Sequence, residues 1–330
     1  MTSRRDILAL IAALPAVACA AREAPPGAPS LPPLKLDPLA DLVPAPGLQW
    51  LTEARPKDLL AHPGVAASAA IVVPPARFDG FAEHHGGLDV RRSDALVIAS
   101  YPATTLILAR TPLQTARVES AFSARTVHVE GRAVEGGVTR LWGSVGAERE
   151  QIALFGADAV GIEHGHLGPL QPAVYFAQGK LRRALPALRS DPLAAAAELV
   201  GPAPLRFFAP GPFEGPWSSG LGGLLGASTA VALAIHPIAR NGRDLLEVQL
   251  ALVGAWGTDA RAATQRLAAA LELLSSDSLG HLLAFDRPVE EPRLSGDAQA
   301  LRLQAIFDPL PFARGLHAAT DARIDEIMGY

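Results

Sequence analysis

The sequence predicts an α+β protein in which one β-α-β-β-α-β unit occurs twice, with antiparallel-rich sheets and helices on one face. Three observations carry this. Landmarks recur in order at a nearly constant offset: Phe78-Asp79-Gly80 with Phe213-Glu214-Gly215 at 135, Gly86-Gly87-Leu88 with Gly222-Gly223-Leu224 at 136, and residues 95–100 (ALVIAS) with 230–235 (AVALAI) at 135. Such self-similarity marks a duplicated unit. The apolar runs are of strand length and are bounded by Gly, Pro and Asn turn signals. The 330 residues are 49% apolar but only 5% aromatic, so a large core of Ala, Leu and Val is available and wholesale disorder is excluded.

In chain order, residues 69–73 read as a short strand stopped by Pro74-Pro75, and 78–85 as a short helix. Residues 95–100 and 105–110 form a hairpin around Tyr101-Pro102-Ala103-Thr104. Thr111-Pro112 opens a helix to about residue 124, with proline where its missing N–H costs nothing. Residues 126–165 read as four short strands, turning at Glu135-Gly136-Gly137, Gly146-Ala147-Glu148 and Gly156-Ala157-Asp158. A helix over 172–181 and a linking helix over 191–200 follow. The second copy begins with a strand at 205–209 and a helical or turn-like stretch at 217–225. Its hairpin, 229–235 and 246–252, has Asn241-Gly242 in the loop. A helix over 258–274 has Thr258 as N-cap, Asp259 at its positive end, and Ala260, Ala263, Leu267, Leu271 and Leu274 on its core face. A long strand over 298–307 and a helix from 312 to 328 close the chain. Each half thus begins β-α-β-β-α, and the strand that follows completes a ferredoxin-like order. Residues 218–239 carry no Asp, Glu, Lys or Arg and are long enough to span a bilayer. Their glycines, and the charged repeat partner Asp89-Val90-Arg91-Arg92-Ser93-Asp94, point instead to a helix and a strand joined by a turn.

The amino terminus carries the most specific signals. Residues 1–5 are basic and residues 7–17 form an apolar run of signal-peptide length, too short for an ordinary membrane span. Ser3-Arg4-Arg5-Asp6-Ile7-Leu8 resembles the twin-arginine export signal, and Leu14-Pro15-Ala16-Val17-Ala18-Cys19 resembles the lipobox of bacterial lipoproteins. Cys19 is the chain's only cysteine and falls where lipidation needs it. The resemblance covers the signal region alone. It implies export through Arg4 and Arg5, a lipid on Cys19, and, with Ala20 rather than Asp next, retention at the outer membrane on the periplasmic side. Residues 21–46 are proline-rich and aperiodic and read as a tether. The expected organisation is a signal over 1–19, a tether over 20–46, a first α+β copy with an added β-meander over 47–190, and a second copy over 191–330.

The net charge is -4, and no basic stripe interrupts it. Phosphate binding needs clustered cations, so nucleic acid is not an expected partner. With Cys19 taken by the signal, the body has no thiol for disulfides, catalysis or metal ligation. Lysine occurs only at positions 35, 57 and 180, an Arg-, Ala- and Pro-rich usage that reads as codon bias and carries no function.

Several clusters carry residue types suited to chemistry. In Glu163-His164-Gly165-His166 an extended strand places both imidazoles on one face, a possible start for a zinc or copper site, though solvated edge histidines are the simpler reading. Glu83-His84-His85 ends a short helix, where the dipole alone favours histidine. Gly226-Ala227-Ser228-Thr229-Ala230 departs from a nucleophile elbow in its last residue and in its flanking elements, and residues 220–226 miss a dinucleotide-binding glycine pattern by one position. Asp79 and Glu214, repeated acids after phenylalanine, read as first-turn acids of short helices, with a pseudo-symmetric carboxylate pair as the alternative. The sequence therefore leads to no catalytic residue, no cofactor and no metal site. It leads to a lipid-anchored envelope protein with a non-catalytic binding or assembly role, whose partners are the membrane and a hydrophobic ligand or envelope protein. Two alternatives stay open: a carrier or receptor for a hydrophobic ligand in a cavity between the copies, and an enzyme with a dispersed active site.

Overall fold

The computed structural model describes residues 33–166, 168–181, 185–276, 288–314 and 317, with only the backbone of Pro216, Leu274 and Ser276. Twelve strands are described: β1 (Trp50–Ala54), β2 (Ala95–Tyr101), β3 (Thr104–Arg110), β4 (His128–Glu135), β5 (Val138–Val145), β6 (Glu148–Phe155), β7 (Ala159–Gly165), β8 (Leu205–Pro210), β9 (Ser228–Arg240), β10 (Arg243–Gly254), β11 (Arg293–Gly296) and β12 (Ala300–Phe307). They form one sheet in the order β11-β12-β10-β9-β8-β1-β2-β3-β7-β6-β5-β4. Every ladder between them is antiparallel.

The centre of the sheet is the β1–β8 pair, with Leu51 opposite Phe208 and Glu53 opposite Arg206. Glu53 and Arg206 are also ion-paired across this ladder. Outward from it, one wing runs β2-β3-β7-β6-β5-β4 and the other β9-β10-β12-β11. The first five strands of each wing, counted from its central strand, therefore follow the same plan, and the β4–β5 hairpin extends one wing only.

The structure is α+β with a large antiparallel sheet, as the strand-length runs and turns predict. The ferredoxin-like order corresponds to the succession of elements but not to the pairing. A split βαβ unit separates its first two strands by a third. Here β1 and β2 are direct neighbours, as are β8 and β9. Helices on one face is also corrected. Both faces of the sheet are apolar by alternation: Val97, Ala99, Leu106, Leu108, Ala153 and Phe155 point one way, and Leu96, Ile98, Ile107, Ala109, Ile152 and Leu154 the other. Both faces need cover. A 3-10 turn (Leu39–Leu42) lies over the first face, with the helices Leu170–Ala177 and Leu193–Val200. Over the second lie α1 (Pro56–Leu60), α2 (Pro63–Val72), α3 (Pro75–His84), α4 (Thr115–Arg125) and, in the other wing, the helix Ala260–Ser276. We number the three remaining helices α5 (Leu170–Ala177), α6 (Leu193–Val200) and α7 (Ala260–Ser276).

The four strands expected over 126–165 are β4 to β7, turning at the expected glycines. The Asn241-Gly242 loop is a two-residue turn with φ of 53° and 73°, which joins two strands longer than the sequence suggests. Other expectations fail, among them the helix start at Thr111-Pro112: α4 begins at Thr115, with Gln114 before it and no proline in its first turn. Residues 69–73 lie in α2 and just after it, because Pro63 starts a helix through an alanine-rich run whose period alone does not separate strand from helix. The first strand of the first half is β1 instead. The strand expected over 298–307 is β12, but β11, a short strand the sequence did not suggest, precedes it in a hairpin that Asp297 closes by accepting from the Gln299 and Ala300 amides. Thr258 does not cap α7, which is entered through a 3-10 turn, Gly257–Asp259. Ala263 and Leu267 are fully buried on the expected face. The proline-rich segment does not stay free of the body: Leu39, Leu42 and Val43 are core residues, and the Lys35 amide donates to the Ala177 carbonyl. Arg4, Arg5 and Cys19 lie outside the described residues, as does most of the expected final helix. Among the described residues no helix is long and apolar enough to cross a membrane, and residues 228–239 are strand β9.

Candidate functional site: an apolar cavity beside a buried charge cluster

Three short helices cross the second face above the central strands, and each begins with proline in its first turn: Pro56, Pro63 and Pro75. The middle one, α2, reads Pro-Gly-Val-Ala-Ala-Ser-Ala-Ala-Ile-Val. Its one hydroxyl, on Ser68, donates to the Gly64 carbonyl at 2.7 Å. The helix is apolar, but its side chains are mostly too small to reach the sheet. The space left between them is a cavity of about 490 Å³, within the range of small-molecule sites.

The floor of the cavity is laid by both wings: Ala54 of β1, Ile98 of β2, Ile107 of β3, Leu205 of β8, Ile235 of β9 and Leu246 of β10. Leu59, Val65, Ala69, Val73, Phe78 and Phe81 form the roof, and Phe312 lies in the wall. Thr52, Ser68 and Arg91 are the polar side chains in the lining. The guanidinium of Arg91 is engaged by Asp89 at 2.8 Å and by Asp79 at 2.7 Å. The cavity therefore presents hydrocarbon to a ligand, and its cation is already neutralised.

A hydrogen bond ties the roof to the other wing. The Gly64 amide, in the first turn of α2, donates to Asp244 Oδ2 of β10 at 2.7 Å, with His62 Nδ1 3.8 Å from the same carboxylate. A carboxylate there satisfies an otherwise unpaired helix N–H and faces the positive end of the helix. Gly64 is required by this approach, since a Cβ would lie 2.8 Å from Asp244 Cβ. Asp244→Ala is expected to cost about 1 kcal/mol, the usual value of an N-terminal cap, and to speed hydrogen exchange in residues 64–72. Unchanged exchange there would show that Asp244 does not hold the roof.

Beyond Phe81 the cavity ends against a polar cluster. His85 follows α3 and is completely buried, and its ring lies tilted against that of Phe81, with the ring centres 4.3 Å apart. Arg125, at the end of α4, donates to the His84 carbonyl at 2.9 Å, contacts His85 Nδ1 at 3.0 Å and pairs with Glu150 of β6. Its guanidinium also lies over the Phe122 ring at 5.3 Å. Arg125 and Glu150 side chains are 8% and 1% exposed. His164 of β7 places Nδ1 3.6 Å from Glu150 Oε2, with its ring 6.3 Å from that of His85. The Nε2 atoms of both histidines are buried without a partner. Burial pushes the His85 imidazole well below the usual histidine value, and the positive charge of Arg125 and the neighbouring His164 and His84 add to this. Burial lowers His164 as well, against the pull of Glu150. His84 is lowered by burial and by Arg125.

The two histidine clusters singled out in the sequence are thus brought together, but not as read there. Gly165 has φ of +113° and ends β7, so His166 is exposed while His164 turns into the cluster. Glu163 points to the opposite face, where its Oε2 accepts from the Leu170 amide at 2.6 Å and caps α5; burial raises its carboxyl above the usual glutamate range. Among the described residues no group of three His, Cys, Asp or Glu is placed to hold a metal ion. Asp79 is in the middle of α3 and bound to Arg91, and Glu214 is exposed before a 3-10 turn without capping it, so the first-turn role fails for both. Ser228 is buried and donates to the Leu224 carbonyl at 2.8 Å, which removes it as a nucleophile. Arg125 and Glu150 were missed, although a signal existed. Glu150 shares a strand face with Ile152 and Leu154, and Arg125 continues the Val118, Phe122 stripe of α4. No family model, curated protein or solved structure matches the chain.

Proposed function

We propose that this protein binds an uncharged hydrophobic molecule in the cavity between α1–α3 and the central strands, as a lipid-anchored protein of the cell envelope. The observation that carries the reading is a space of about 490 Å³ walled by aliphatic and phenyl groups, with Arg91 neutralised by two carboxylates. Displacing water from such walls is favourable by roughly 25 cal/mol per Å² of apolar surface covered. A charged group placed there would lose its hydration without gaining a free counter-ion. The cavity lies at the junction of the two wings, where a ligand touches both.

The duplication belongs to the same reading. The Gly-Gly-Leu landmarks support it: Gly86 and Gly87 have φ of 69° and 91°, Gly222 and Gly223 have 67° and 82°, and both following leucines, Leu88 and Leu224, are buried on the second face. The shared strand plan of the wings supports it too. Two copies meeting at β1 and β8 would create a ligand site at their seam. Export through Arg4 and Arg5 and a lipid on Cys19 would place that site beside a membrane, a source of hydrophobic ligands.

N-phenyl-1-naphthylamine, an uncharged apolar dye, tests the binding. Saturable fluorescence enhancement at one dye per chain, displaced by a long-chain alcohol, is expected. Enhancement that never saturates, or survives the alcohol, would refute it. The anchor is tested separately: envelope-extracted protein should have a mass beginning at Cys19 with acyl chains added, and Cys19→Ala should release it in soluble form.

A further inference from the structure

We propose that the buried cluster of His85, Arg125, Glu150 and His164 is a proton-operated latch on the cavity: neutral His85 holds the end of α3 to the sheet, and its protonation releases α3 and opens the roof. This rests on the cavity being the ligand site.

The latch has the required position. His85 is the first residue after α3, its amide donates to the Phe81 carbonyl at 3.0 Å, and its ring lies against the Phe81 ring that lines the cavity. Movement of His85 therefore moves a wall of the site. Directly behind it, Gly86 and Gly87 both have positive φ, a conformation glycine adopts without penalty. Gly86 also packs directly on α4, where a Cβ would lie 2.6 Å from the Arg117 carbonyl oxygen, so release of His85 would part α3 from α4 at this contact.

The bonding makes the latch sensitive to one proton. A guanidinium only donates, so the 3.0 Å contact from Arg125 requires a lone pair on His85 Nδ1 and leaves the ring proton on Nε2. A second proton must go to Nδ1, where it meets the N–H of Arg125. The attraction becomes a repulsion between two cations in a site closed to water. Every neighbouring element adds to this balance. Arg125 comes from α4, Glu150 from β6, His164 from β7 and His84 from α3 itself, with Glu148 acting on His164 from further along β6. Among the described residues Glu150 is the carboxylate in contact with the cluster, and Arg125 already occupies it. A protonated His85 has no counter-ion left.

The test uses dye binding and hydrogen exchange of residues 75–88 at pH 7.5 and 5.0, in wild type and in His85→Gln. Glutamine keeps an acceptor for Arg125 and carries no proton to titrate. In wild type, dye affinity is expected to fall at least tenfold at pH 5.0, and exchange, corrected for its intrinsic pH dependence, to rise at least tenfold. Both changes should vanish in His85→Gln. A wild-type protein indifferent to pH, or a response that persists in His85→Gln, overturns the latch. Should the variant not fold, the midpoint of the wild-type exchange change must coincide with the nuclear magnetic resonance titration of the His85 ring, and a midpoint set elsewhere overturns it. Failure of the dye to bind at pH 7.5 refutes the cavity reading instead, and the exchange data then judge the latch alone.

Discussion

Glu150→Ala is expected to destabilise the protein by about 3–5 kcal/mol, the cost of leaving one member of a buried ion pair uncompensated. Arg125 would remain 8% exposed, beside His85 and His164, with its carboxylate gone. Glu150 is 1% exposed, so its carboxylate and not solvent neutralises Arg125 in the folded chain. Urea unfolding at pH 7.5 measures the loss, and a value below about 1 kcal/mol, typical of exposed pairs, would show the site to be hydrated. The double variant Arg125→Met/Glu150→Leu should recover much of the loss, because apolar side chains of similar size replace buried pairs at little cost. Recovery should stop short of wild type. The His84 carbonyl and His85 Nδ1 would have lost their donor, and a buried acceptor left alone costs about 1–3 kcal/mol.

The same cluster fixes the sign of the pH dependence. The imidazoles of His85 and His164 are held below the usual histidine value in the folded chain, chiefly by burial. As the pH falls through about 6.5, the unfolded chain takes up protons that the folded chain refuses. Stability is therefore fully present above that pH and is lost below it, by at most about 1.4 kcal/mol per pH unit per histidine. His85→Gln removes one of these contributions and should make the acid limb shallower. A limb of unchanged slope would mean that His85 takes up its proton equally in the folded and unfolded chains.

How far all this was legible depends on how local the cause is. The strands between residues 126 and 165 announce themselves because Gly136, Gly137, Gly146 and Gly156 mark their turns with positive φ. Asn241-Gly242 does the same for β9 and β10. The β1–β8 ladder that unites the wings joins residues roughly 150 positions apart, and nothing in Trp50-Leu51-Thr52-Glu53-Ala54 names its partner. Both faces of the sheet alternate between apolar residues, so the sequence carried the evidence that helices must lie on both, and counting elements alone obscured it. For the site, Glu83-His84-His85 and Glu163-His164-Gly165-His166 were visible as separate clusters. Their union is made by Arg125 and Glu150, charged residues placed on otherwise apolar stripes of α4 and β6. The cavity was invisible for a different reason: it is defined by the atoms that Ala66, Ala69 and Ala70 lack.

That origin sets up the second large effect. Ala69→Phe, in the roof, should fill the cavity with a ring of the same chemistry as its walls. Filling an unstrained apolar void commonly adds about 0.5–2 kcal/mol of stability, so thermal unfolding should shift upward or stay level. Dye affinity should fall at least a hundredfold, equivalent to about 2.7 kcal/mol. The two readouts separate two origins of the space. A cavity kept for a ligand loses binding while the fold gains, the opposition expected when stability is given up for function. A cavity that is merely imperfect packing gains stability with no binding to lose. Ile98→Ala, in the floor, works in the other direction, since it enlarges the cavity and should cost about 2–5 kcal/mol. Because enlargement leaves the apolar walls in place, binding should survive in Ile98→Ala even as stability drops. Loss of binding in both variants would mean that the dye reports general loosening of the fold, and the cavity would then have no claim to be the site.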